Sequence, residues 1–154
     1  MNPSYPENQF APRYLQGLMN PPPEAVGYED RPYEYVYAPS TNGALAMNAF
    51  LNPDSLAINT DADFIAAGWY LGLYTGVFQV QLIDSTGYQL QSGMINSGAI
   101  SQAQSNPTVL SPAHRFPAGG KIQIVIQDLS GSSNPLQIVF KGWKRFILNK
   151  AEAA

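Results

Sequence analysis

"RFPAGGKIQIVIQDLSGSSNPLQIVFKGWKRF", residues 115–146, decides how the whole chain is read. In its first half Ile122, Ile124 and Ile126 alternate with Lys121, Gln123, Val125 and Gln127. That period of two is the mark of a strand with one buried face. "DLSGSSNP" is a turn by composition, and "LQIVFKGWKRFIL" (136–148) returns as a second strand. The stretch therefore predicts a β-hairpin, with Gly142 marking a bulge or bend in the return strand. The return strand closes on a knot of Lys141, Trp143, Lys144 and Arg145.

The same signals recur upstream. "YEYVYA" (33–38) sets Tyr33, Tyr35 and Tyr37 against Glu34, Val36 and Ala38, and "TNG" (41–43) turns the chain. "ALAMNAFL" (44–51) predicts a strand that Asn52 and Pro53 terminate, although Ala and Leu also suit a helix. "DFIAAGWYLGLYTG" (63–76) is rich in aromatic and β-branched residues and predicts a strand from about Asp63 to Tyr70. In "GVFQVQLID" (76–84) Phe78, Val80 and Leu82 share a face; "DSTG" then turns and "YQLQSGMI" (88–95) returns. "NSGAISQAQSNPTVLSP" (96–112) predicts a long polar crossing with a short strand at Thr108–Leu110, as a Greek key requires. Seven or eight strands without an amphipathic helix predict an all-β protein, an antiparallel β-sandwich or barrel over residues 33–148.

Residues 1–32 read differently. They hold seven of the thirteen prolines, including Pro21, Pro22 and Pro23, so this segment predicts neither a helix nor a central strand. "NPPPEA" is expected to be polyproline II. Yet Phe10, Tyr14, Leu18, Met19 and Tyr28 would be costly in water and are useful against a surface. The expectation is an extended proline-rich N-terminal arm (1–32) lying on a neighbouring subunit; the plain alternative is a tail whose aromatics occur by chance. Residues 149–154 are expected to be a short flexible tail.

Only 12% of the 154 residues are charged, against a usual ~25%. So neutral a surface suits a protein packed against others. Residues 1–110 carry nine acids and two bases, and residues 111–154 carry two acids and six bases. Such a split permits head-to-tail docking of copies, unless the fold interleaves the halves and cancels it. There is no cysteine, no apolar run long enough to span a bilayer and no basic–apolar leader at the N-terminus. No membrane association is expected.

Catalytic chemistry has little to work with. His114 is the only histidine; in "SPAHRFPAGG" it reads as a loop bystander rather than a triad member. Asp61 and Asp63 in "NTDAD" lack the spacing and closing acid of a calcium loop and read as a solvated turn. No catalytic residue, no metal ligand set and no cofactor site is assigned. Lys141, Lys144, Arg145 and Lys150 beside Trp143 and Phe146 mix cations with aromatics as single-strand binders do. A net charge of −3 and a pI near 4.9 argue against direct nucleic-acid binding. Trp69, Tyr70, Tyr74 and Trp143 are the aromatics that could stack on sugars.

The succession "DADFIAAGWY", "VFQVQLIDSTGYQLQSGMIN", "HRFPAGGKIQIVIQD" and "LQIVFKGWKRF" resembles capsid cement or decoration proteins and related head-associated proteins of tailed bacteriophages. The resemblance covers about residues 60–148 and is one of pattern. It implies a jelly-roll-like sandwich on the capsid exterior, made in the host cytoplasm, that stabilises junctions between major capsid subunits. It further implies a non-enzymatic dimer or trimer whose partner is the major capsid protein. A head–tail adaptor, a neck or tail component, and a host-glycan-binding module are the alternatives. On this reading the arm (Phe10, Tyr14, Leu18, Met19, Pro21, Pro22, Pro23, Tyr28) and a basic, aromatic edge (Lys141, Trp143, Lys144, Arg145) are the contact surfaces.

Overall fold

The structure is a computed structural model that describes residues 27–39 and 43–148. Nine strands follow one another: β1 (Tyr28–Tyr37), β2 (Ala44–Leu45), β3 (Phe50–Ala57), β4 (Asp63–Tyr74), β5 (Phe78–Ile83), β6 (Ile95–Asn96), β7 (Thr108–Phe116), β8 (Lys121–Asp128) and β9 (Asn134–Ile147). One turn of 3-10 helix covers Ser97–Ala99. The strands form two antiparallel sheets, β1-β9-β4-β7 and β3-β8-β5-β6, with the short β2 added to β9.

This order has a simple origin. β5 pairs with β6, β4 with β7, β3 with β8 and β1 with β9, so the chain is a long hairpin of nested antiparallel pairs. Rolling that hairpin brings β4 against β9 and β5 against β8, which completes both sheets. The result is an eight-stranded jelly roll, as the all-β sandwich reading expects. The core lies between the sheets, where Phe64, Trp69, Phe78, Ile122, Ile124 and Phe140 are fully buried with their neighbours. Tyrosines of β1 lace the two sheets together. Tyr37 Oη donates to Asp54 at 2.7 Å, and Tyr35 Oη accepts the Asn59 N–H at 3.0 Å.

Several local expectations are corrected. β8 and β9 are not a hairpin: β8 pairs with β3 and β5, β9 with β1 and β4, and the 129–133 turn crosses between sheets. Their inward rows face each other across the core instead of lying side by side. Asn52 and Pro53 do not end a strand. β3 runs through them with a register shift between Leu51 and Asp54, and an edge strand loses little to a missing N–H. The strand expected over 44–51 is split: β2 keeps Ala44–Leu45, and Phe50 and Leu51 open β3. The return strand expected over 88–95 is reduced to a bridge at Gln89 and the two residues of β6. The Gln91 side chain takes its place, accepting the Leu82 N–H while its carbonyl accepts from Gln81. β1 begins at Tyr28, so residues 28–32 of the expected arm pair with β9. Pro32 lies on β1 and Pro112 on β7, the two outer strands of their sheet.

β4 and β7 also run further than expected, to Tyr74 and Phe116, so His114 sits within a strand. The irregularity read at Gly142 lies opposite it. β4 shifts register between Ala66 and Gly68, and Gly142 is the point of closest approach. A Cβ there would stand 1.8 Å from the Ile65 carbonyl oxygen. Gly142→Ala should therefore cost roughly 3 kcal/mol or more in urea denaturation, since backbone and not a flexible side chain must move. A loss under about 0.5 kcal/mol would show that the two strands can separate without strain.

Candidate interaction surfaces

Loops gather at the two ends of the sandwich. The 46–49, 75–77 and 129–133 turns meet at one, here the distal end. The 58–62, 84–94 and 117–120 loops meet at the other, the terminal end, where Gly27 O accepts the Leu148 N–H.

The basic, aromatic cluster lies toward the terminal end, but not on an edge. β9 is flanked by β1 and β4, so the edge reading is corrected. Alternation along β9 sends Lys141, Trp143 and Arg145 to the outer face and Lys144 inward. Arg145 forms a two-point bond to Asp30, at 2.9 Å from Nε and 2.7 Å from Nη2, and its guanidinium lies 5.0 Å over the Tyr28 ring. The Asp30 contact holds its pKa above the ordinary value. Lys144 is only 5% exposed, and its Nζ reaches Asp61 at 2.9 Å. The same ammonium sits 4.1 Å from the Tyr33 ring centroid. Burial alone would lower its pKa; Asp61 and the tyrosines hold it above the ordinary value. Lys141 donates to the Gln104 carbonyl at 3.0 Å. Arg115 pairs with Asp63 at 2.7 Å. Three acids of the front half thus pair with three bases of the rear half inside one domain. Charge reversal at Lys144 and Arg145 would therefore strike contacts made within the domain, with Asp61 and Asp30.

Trp143 is different. It lines an outer-face pocket of about 310 Å³ with Asp30, Pro32 and Gly142. Its Nε1 is buried and finds no hydrogen-bond partner. A buried donor left in that state costs about 1–3 kcal/mol. Of the arm residues singled out in the sequence, Tyr28 opens β1; Phe10, Tyr14, Leu18, Met19, Pro21, Pro22 and Pro23 lie outside the described residues.

Two surfaces escaped the sequence reading. At the distal end Met47, Phe50, Val77 and Leu129 are 61, 54, 45 and 47% exposed. Asp128 holds their loops together: it accepts the Asn48 N–H, the Ser130 N–H and hydroxyl, and the Gly131 N–H. These bonds, the Ser130 hydroxyl foremost, keep its pKa below the usual carboxylate range. The Leu129 N–H donates to the Val77 carbonyl, which joins the third loop. At the terminal end the His114 ring is parallel to that of Tyr88 at 6.2 Å, and its Nε2 lies 3.1 Å from Asp84. Burial pushes the Asp84 pKa up, but the Thr86 hydroxyl, backbone N–H groups and His114 bring it below the ordinary value. A pocket of about 160 Å³ opens here, lined by Tyr88, Leu90, Leu110, Ser111, Pro112 and His114. Trp69 and Tyr70, counted among the sugar-stacking candidates, are buried and cannot serve; Tyr88, 64% exposed, is the accessible ring.

Asp61→Asn leaves the buried Lys144 ammonium without its carboxylate, and the variant should melt several degrees below wild type near neutral pH. The Lys144 contact, chiefly, depresses the folded-state pKa of Asp61. Its contribution is therefore present above about pH 4 and is lost as the pH falls through the folded value. Calorimetry should show the gap closing in acid; a gap independent of pH would mean that the asparagine acts through packing instead.

Among the described residues no helix is long and apolar enough to cross a membrane. No known family matches the chain. No characterised protein and no solved structure matches it either.

Proposed function

We propose that this chain is a non-catalytic structural protein of a tailed-phage virion, a cement or decoration protein that binds the capsid exterior across junctions between major capsid subunits. The observation that carries the reading is the apolar crown of the distal end, where Met47, Val77 and Leu129 on the turns and Phe50 at the start of β3 stand exposed around Asp128. Single exposed apolar residues are ordinary, but four at one end favour a contact surface. Jelly rolls recur in capsid proteins, and a chain with only 12% charged residues suits dense packing. Each copy bound across a junction would stabilise the assembled shell by mass action, and many weak contacts would add. Copies would associate as dimers or trimers, with the N-terminal arm adding contact area on neighbours.

The test is occupancy. The chain should band with intact capsids in a density gradient at hundreds of copies per particle, whereas about six or twelve would assign it to a neck or tail. Phe50→Ser combined with Leu129→Ser should lower occupancy on the order of tenfold and leave the melting temperature nearly unchanged. Full occupancy by that variant would remove the distal end from the contact.

A second reading, a host-glycan-binding module, is favoured by the Tyr88–His114 pocket, because jelly rolls also serve as lectins and an exposed ring beside a small polar-rimmed cavity suits a sugar. It predicts hits on a glycan array that Tyr88→Ala abolishes. An empty array with the wild-type chain would end it.

A further inference from the structure

We infer that the outer-face pocket at Trp143 is the seat of this chain's own proline-rich segment, Pro21–Pro23, with the Trp143 indole N–H donating to one of its backbone carbonyls. Four observations carry this. The pocket is lined by Pro32, Gly142 and Trp143, apolar surface of the kind on which polyproline II segments dock. Trp143, which lines it, carries a buried donor that lacks an acceptor, the Nε1. Proline triplets supply what it needs, because polyproline II carbonyls make no internal hydrogen bonds. Indole is a donor only, so its partner must be an acceptor.

The third observation is reach. The segment joins the domain at Gly27, five residues before Pro32 on β1, a span of about 16 Å at strand rise. A polyproline II stretch rises about 3.1 Å per residue, so the five residues before Gly27 are long enough to reach back to the level of Pro32. The fourth is the hinge. Gly27 has φ of +85°, a left-handed conformation that lets the chain reverse, and a Cβ there would stand 2.8 Å from the Leu148 Cβ. Docking in this way fixes the root of the arm to the outer face of the β1-β9-β4-β7 sheet. The inference does not depend on whether the chain serves in a virion.

The experiment follows the two indole N–H signals of the full-length, nitrogen-15-labelled protein by NMR, assigned with Trp143→Phe. In wild type the Trp143 indole proton should exchange slowly with deuterated water. In the full-length triple variant Pro21→Ser, Pro22→Ser, Pro23→Ser the signal should move and its exchange quicken on the order of tenfold or more. The Trp69 indole, buried in the core, should keep its position in both. A Trp143 signal that the triple variant leaves unmoved overturns the inference. So does a signal whose position changes on dilution, because that would mean that the segment of a second copy fills the pocket.

Discussion

β9 is the strand on which the rest of the structure depends. Its fourteen residues lie between β1 and β4 and complete hydrogen-bond ladders with both. A strand so placed must meet demands on each face at once. Inward it supplies Leu136, Ile138 and Phe140 to the core. Further along the same face it presents Lys144, whose charge can be held only because Asp61 and two tyrosine rings stand around it. At Gly142 it must come so close to β4 that no side chain fits. β1 and β4 could not both be seated beside a strand that satisfied only one of these requirements.

The charge distribution follows from this placement. A jelly roll joins the beginning of the chain to its end, because its outermost nested pair is β1 with β9. An acidic front half and a basic rear half are therefore neighbours by topology. The ion pair of Asp30 with Arg145 spans 115 positions of sequence, and that of Asp61 with Lys144 spans 83. What looks in the sequence like a polarised molecule is largely an internally compensated one.

Much of the fold was legible in the sequence, and the reason is periodicity. Strands that bury one face alternate, so β1, β5, β8 and β9 could be recognised, and in β8 the isoleucines could be assigned to the core. Alternation says which way a side chain points and not which strand lies beside it. β8 and β9 share that pattern and are separated by a short polar turn, so a hairpin and a crossing between sheets read alike. β3 was hidden because Pro53 is a stop signal only where both sides of a strand must bond. The strand expected at 88–95 stops after a short backbone pairing, because from residue 91 on a glutamine side chain accepts the Leu82 N–H in place of backbone. At the candidate surfaces, the residues of the basic cluster were visible but their partners were not, since those come from distant positions. The distal apolar crown draws its residues from three separate stretches of chain and leaves no local mark.

The placement of the prolines has a consequence for crowding. Of the four open margins of the two sheets, β1 carries Pro32, β3 carries Pro53, β7 carries Pro112, and β6 is only two residues long. Each margin lacks the uninterrupted row of donors and acceptors that a foreign strand would need for templating. A neighbouring copy brought up against these margins would find no such row to extend into a continuous sheet. Contacts between copies are left to loops and faces, where association can be geometrically defined and can stop at a fixed number of copies.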